Sequence, residues 1–277
     1  MSDINIEFAI QNEKCKTKQG IIKGGNMSGH SKWATIKHKK GKEDAKRGKL
    51  FTKFIREIIT AARTGGGNVD TNPRLRAAVT AAKQENMPKT NIENAIKKGT
   101  GELEGEIYEE LMYEGYGPGG VAVLVNVMTD NKNRSAAEIR HIFSRFGGNL
   151  GEAGCVSWMF KQKGQFLIPD DTITEDKLLE LSMNFDVDDI NHDEDSKMLE
   201  VLVSPSSFEA VKAAYDKEGI KYTFAEVTLV PQTYVPLKGR EAEQMIKLMD
   251  TLDDHDDVQK VYANFDISEK DMEALEQ

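Results

Sequence analysis

The spacing of apolar residues changes once along this 277-residue chain, near residue 105, and that change limits the fold more than any single motif. Between Glu43 and Arg63, the residues Leu50, Phe51, Phe54, Ile55, Ile58 and Ala62 recur at helical intervals, which predicts an amphipathic helix. Gly65-Gly66-Gly67 marks its end. Asn72-Pro73 places an N-cap residue before a proline at the first helical position, opening a second helix through Leu75, Ala78, Val79 and Ala82 that Met87-Pro88 breaks. Thr90 and Glu93 have capping-box spacing for a short third helix through Ile92, Ala95 and Ile96, stopped by Gly99. Residues 27–104 are therefore expected to form a small basic helical domain.

Past Gly105 the pattern alternates between strands and helices. Tyr108–Tyr116 and Val121–Met128 read as strands joined by Gly117-Pro118-Gly119-Gly120. Ser135 and Glu138 form a second capping box, for a helix with Ile139, Ile142, Phe143 and Phe146 inward, and a strand is expected over Val156–Phe160. Then come a strand at Gly164–Ile168, a helix capped by Thr172 and Glu175, strands at Val187–His192 and Met198–Val203, a helix capped by Ser206 and Glu209, and a strand at Tyr222–Val230. This β-α-β-β-α-β order is the ferredoxin-like pattern. A short strand at Tyr234–Leu237, a helix at Arg240–Leu252 and a strand at Val258–Asn264 close the chain. The segments on either side of the ferredoxin-like stretch are each incomplete, so residues 105–160 and 232–277 are expected to pair as one discontinuous α/β domain, with 161–231 inserted. The fold class is α+β: a helical N-terminal domain followed by two α/β domains.

Charge follows the same division. The formal total is −9, which alone argues against a nucleic-acid partner. Residues 28–100 hold 17 Lys and Arg against 6 Asp and Glu, a balance of +11, whereas residues 101–277 stand at −21. Segregation on this scale bears on partners. Lys46, Lys49, Lys53, Arg56 and Arg63 share one face of the first helix, and Lys32, Lys37, Lys39, Lys40 and Lys42 form a basic arm before it. These residues are the expected phosphate-contacting set, because several cations on one surface are what phosphate binding requires. Lysine predominance suits the backbone better than base edges, which bidentate arginine reads. Trp33 in the arm is available to stack on a base, although a lone tryptophan more often packs onto its own bundle.

Little else in the chain reads as chemistry. Gly115–Gly120 lacks the Gly-Lys-Ser/Thr of a phosphate loop and precedes a strand, so a tight turn explains it; an enzyme built on that turn is a remote alternative. Asp130–Ser135 reads as a polar helix entry, with Arg134 available to RNA or a partner. The acidic run Asp186–Asp195 lacks the glycine and closing glutamate of a calcium loop, and Asp253-Asp254-His255-Asp256-Asp257 reads most simply as a solvated turn, with weak divalent-ion binding as a remote option. Five histidines and two cysteines, Cys15 and Cys155, show no metal-ligand spacing and no nucleophile–base pair. No catalytic residue, cofactor or metal is expected. With no disulfide framework and no apolar membrane span, a cytoplasmic protein is expected.

Met27-Ser28-Gly29-His30-Ser31-Lys32-Trp33-Ala34-Thr35-Ile36-Lys37-His38-Lys39-Lys40 closely resembles the opening of the YebC family. So do Lys49-Leu50-Phe51-Thr52-Lys53, Tyr113–Gly120, Thr129-Asp130-Asn131-Lys132-Asn133-Arg134 and Leu252-Asp253-Asp254, and the likeness runs from Met27 to about Phe265. The resemblance implies a three-domain protein without enzymatic activity. It implies one of two roles: a DNA-binding transcriptional regulator, as bacterial members are described, or a ribosome-associated translation factor contacting rRNA, as the mitochondrial translational activators suggest. Residues 1–26 depart from the family pattern, and Lys23-Gly24-Gly25-Asn26 can be encoded by a purine-rich ribosome-binding sequence just before Met27. Translation is accordingly expected to start at Met27, which the intact mass of the native protein would test.

Overall fold

The computed structural model describes residues 22–23, 33, 44–193, 196–268 and 271. They belong to two compact units: one contains Phe160–Tyr234, and the other combines the described part of Lys37–Met159 with Val235–Asp266.

The second unit opens with three helices, α1 (Asp44–Gly65), α2 (Pro73–Gln84) and α3 (Lys89–Thr100). Ile58, Ile59, Ala61, Ala62, Leu75, Val79, Ala82, Ile92 and Ala95 form their common core, at the spacing the sequence predicts. The close approach of α3 to α1 depends on Gly99, where a Cβ would lie 2.6 Å from both the Ala62 Cβ and the Ile59 carbonyl oxygen. Asn72 caps α2 by accepting from the Leu75 N–H at 3.1 Å, while its amide donates to the carbonyls of Ala61 and Gly66. The capping box at Thr90 is not formed: α3 starts directly after Pro88, with no side-chain cap.

In the same unit, β2 (Glu109–Tyr116), β3 (Ala122–Thr129), β4 (Asn149–Leu150) and β10 (Val258–Ala263) form a sheet of order β10-β3-β2-β4, antiparallel throughout. Helices α4 (Lys132–Arg145) and α7 (Gly239–Asp253) pack against each other and this sheet, burying Ile139, Phe143, Met245, Leu248, Met249 and Leu252. Two short strands, β9 (Val235–Pro236) and β11 (Phe265–Asp266), pair in parallel beside them. The cap of α4 is Asn131, not Ser135, and Ser135 is buried one turn inside the helix. No strand begins at Val156, because the backbone N–H groups of Gly154, Val156 and Ser157 all donate to the buried Glu114 carboxylate at 2.7–2.8 Å. Those amides are unavailable to a ladder, and residues 157–159 form a single 3-10 turn.

The other unit has the order β5 (Phe160–Pro169), α5 (Glu175–Ser182), β6 (Val187–Asp193), β7 (Met198–Val203), α6 (Phe208–Lys217), β8 (Phe224–Pro231). Its antiparallel sheet runs β6-β7-β5-β8, the ferredoxin-like arrangement, and β1 (Ile22–Lys23) adds in parallel to the free edge of β6. The Phe166 ring stacks on Phe208 and meets Tyr215 edge-on in a core shared with Ile168, Leu178, Ile190 and Val201. Neither predicted cap bonds its helix: Thr172 lies outside α5, and Ser206 pairs with Ser204. Among the described residues, no helix is long and apolar enough to cross a membrane.

Candidate nucleic-acid interface

Burial of Ile58, Ile59, Ala61 and Ala62 in the helical core leaves Lys49, Lys53 and Arg56, spaced i, i+4 and i+7, together on another side of α1. That side meets the C-terminal end of α7 and the turn after it. The Lys49 ammonium lies 2.7 Å from the Asp254 carboxylate and donates to the Asp254 carbonyl at 3.0 Å. Lys53 donates to the Asp253 carbonyl at 2.7 Å, with that residue's carboxylate at 3.5 Å. Arg56 donates through Nη1 to the Asp257 carboxylate at 2.7 Å and to the carbonyls of Asp256 and Met128 at 2.6 and 3.1 Å. The Arg56 guanidinium also sits 5.2 Å from the Tyr108 ring centroid.

The arrangement has an electrostatic logic. A helix C-terminus carries partial negative charge and favours nearby cations. α7 ends instead in Asp250 and Asp253, with no basic residue in its last turn. The missing cations come from α1, so the basic face and the acidic run are partners within one unit.

Asp257 is the centre of this contact, with a side chain only 3% exposed. The expected solvated turn is therefore corrected at this position. Besides Arg56, the Asp257 carboxylate meets Arg134 at 2.9 Å, Ser135 Oγ at 2.6 Å and Thr129 Oγ1 at 3.1 Å. Burial by itself favours the neutral acid, but the hydrogen bonds from Ser135, Arg134 and Arg56 outweigh it and hold the carboxyl at about 2. Arg134, read from sequence as free for RNA or a partner, is committed to Asp257 and Asp130.

Glu138, His255 and Asp257 also converge, with ligand atoms within 4.8 Å of one another. Their donor set does not fit a metal ion. His255 Nδ1 accepts the Asp257 N–H at 3.1 Å, so the neutral ring carries its proton on Nε2, which faces the Glu138 carboxylate at 2.9 Å. Neither ring nitrogen has a lone pair to give, and the Asp257 oxygens are already occupied. The group is a hydrogen-bond network.

The remaining expected residues fall in several places. Arg63 is exposed and donates to the Glu106 carbonyl at 3.4 Å. Lys46 lies in α1, while its side chain and all of Lys32, Lys37, Lys39, Lys40 and Lys42 lie outside the described residues. Trp33, read as available for stacking although packing is the commoner fate, is buried at 8% exposure. The other tryptophan, Trp158, is 68% exposed, and its indole N–H donates to the Cys155 carbonyl at 3.2 Å. The Gly115–Gly120 turn packs on α7: a Cβ at Gly117 would lie 2.8 Å from Met245 Sδ and one at Gly119 2.4 Å from a Leu237 methyl, so those side chains would have to shift.

Sequence reasoning missed Asp257 as a partner of α1, and Ser135 and Thr129 as donors to Asp257. A signal existed: Asp253, Asp254 and Asp257 match Lys53, Lys49 and Arg56 in number and opposite sign.

Comparison with known proteins places this geometry in a family. Residues 31–102 match the TACO1/YebC protein N-terminal domain, and residues 108–265 match the TACO1/YebC second and third domain. A protein of Syntrophobacter fumaroxidans is 60% identical over 250 residues, covering 90% of this chain and 100% of that protein; one from Geobacter sulfurreducens is 59% identical over 249 residues with the same coverage. Both carry the name "Probable transcriptional regulatory protein". The crystal structure of a conserved hypothetical protein from Aquifex aeolicus aligns with a TM-score of 0.74 at 49% identity, over 86% of this chain and 97% of that one. The chain belongs to the TACO1/YebC family.

Proposed function

We propose that the protein is a non-enzymatic, cytoplasmic nucleic-acid-binding regulator of gene expression, with DNA as its target in transcriptional control. The observation that carries this reading is the charge partition, +11 over residues 28–100 against −21 over the remainder from residue 101. The names of the relatives from Syntrophobacter and Geobacter support the regulatory part. Phosphate contacts are assigned to the arm lysines Lys32, Lys37, Lys39, Lys40 and Lys42 and to Lys46, Lys49 and Arg63. Lys53 and Arg56 belong to the same charged face, but their contacts with Asp253 and Asp257 make Arg56 a holder of the fold first.

A second reading, a ribosome-associated translation factor binding rRNA, is favoured by one observation. Eight of the ten basic residues assigned to the arm and α1 are lysines, and α1 holds neither Asn nor Gln, a set suited to phosphates more than to base edges. Crosslinking in cells followed by sequencing of DNA and RNA decides between the two. Discrete promoter peaks without ribosomal signal support DNA; rRNA enrichment without promoters overturns it in favour of the ribosome. In vitro, Lys46→Glu with Lys49→Glu should sharply weaken binding to nucleic acid while leaving the circular dichroism spectrum unchanged, and unchanged affinity would remove α1 from the interface.

A further inference from the structure

The three contacts between α1 and the acidic segment are not equally wet. Side-chain exposure is 43% and 62% for Lys49 and Asp254, 14% and 22% for Lys53 and Asp253, and 12% and 3% for Arg56 and Asp257. The strip dries out steadily toward Asp257. An exposed ion pair is screened and exchanges partners at little cost, whereas a buried, multiply hydrogen-bonded one resists separation. Along the acidic segment itself, Asp254 is the wet residue: it lies between Asp253, the last residue of α7, and buried Asp257, so the segment is held at both ends and loose between them.

The contacts before Asp257 occupy the chemistry that nucleic acid needs. Lys49 and Lys53 are each taken by a carboxylate and a carbonyl, oxygen acceptors of the same kind as phosphate oxygens. We propose that the Asp254 side chain is a displaceable acidic cover over Lys49, anchored on one side by the end of α7 and on the other by the Arg56–Asp257 pair, which nucleic-acid phosphates must push aside to bind. This rests on the nucleic-acid reading above and adds its regulation: the cover selects ligands whose phosphates outcompete a tethered carboxylate, and it lowers affinity for isolated anions. Arg56 is here a positioning residue that keeps the anchor and makes no phosphate contact.

The test uses the full chain and two probes, a short mixed-sequence RNA and a DNA duplex, at low salt. Asp254→Asn, alone and with Asp253→Asn, should tighten binding about three- to tenfold. A control variant, Asp70→Asn with Glu85→Gln, removes the same charge from exposed positions of the helical part and should change affinity little. In a Lys49→Met background the gain from Asp254→Asn should disappear. In the unsubstituted protein, amide hydrogen exchange over 253–257 should quicken when RNA or DNA is added, a readout that needs no variant to fold. Tightening no greater than the control, or unaltered exchange in a chain that does bind, overturns the cover and leaves the nucleic-acid reading intact. Failure of the unsubstituted chain and every variant to bind either probe overturns both.

Discussion

Asp257 concentrates more consequence than any other side chain in the second unit. Its carboxylate accepts from Arg56, Arg134, Ser135 and Thr129, joining α1, the end of β3, α4 and the turn before β10. Removing Arg56 takes one charged donor from this buried carboxylate and leaves it Arg134, Ser135 and Thr129, so Arg56→Ala should destabilise the protein by about 2–3 kcal/mol, measured by urea unfolding. Lys49→Ala, at the exposed end of the same strip, should cost under about 1 kcal/mol. The pH dependence follows from the depressed carboxyl of Asp257, held at about 2 against an ordinary 3.8. A depressed folded-state value contributes stability that is complete above the unfolded value and is lost as pH falls through the folded one. The melting temperature should therefore drop steeply between about pH 4 and pH 2, and Asp257→Asn should flatten that limb from a lower starting stability. What the sequence withheld at this scale was the partner. Asp253–Asp257 has the composition of a solvated turn, and nothing local to it announces that α1, some 200 residues earlier, supplies the countercharge.

At the scale of elements, helices and strands were largely legible, because the apolar spacing that predicts them is the spacing that fills the cores. Leu75, Ala78, Val79 and Ala82 face inward from α2 as their intervals require. Caps were legible only where the side chain had no better offer. Asn72 has none and caps α2; Asn72→Ala strips one N–H of its acceptor and two carbonyls of their donor, and should cost about 2–3 kcal/mol by thermal or urea unfolding. Ser135 matched the capping-box spacing yet lies 2.6 Å from an Asp257 oxygen, and Asn131 caps α4 in its place. The expected strand at Val156 failed for the same reason: Glu114 draws the backbone donors of Gly154, Val156 and Ser157 toward one carboxylate, a tertiary demand that no local pattern records.

Across the whole molecule the charge partition was legible and the geometry of its use was not. A net of −9 conceals a cationic front, and that front in turn is partly neutralised by the chain's own acids at 253–257. If about five cations contact phosphate, log K should fall with log salt at a slope of roughly −3.5 on single strands and −4.5 on duplex. Fluorescence anisotropy across a salt series measures it directly. A much shallower slope would mean that the arm lysines contribute little.

The β10-β3-β2-β4 sheet is completed late. β10 lies against β3, and the Thr129–Asp257 bond at the end of β3 spans 128 residues. A ribosome adding about 5–20 residues per second needs roughly 6–25 seconds to cover that interval. Throughout it, the apolar residues Val123, Val125 and Val127 of β3 wait without their neighbour strand, while Phe160–Tyr234 emerges with every strand of its own antiparallel four already made. The ferredoxin-like unit is thus poised to fold before β10 completes that sheet. The nascent chain is most exposed to mispairing while β3 has emerged and β10 has not, so a chaperone or a pause in synthesis would matter most in that window.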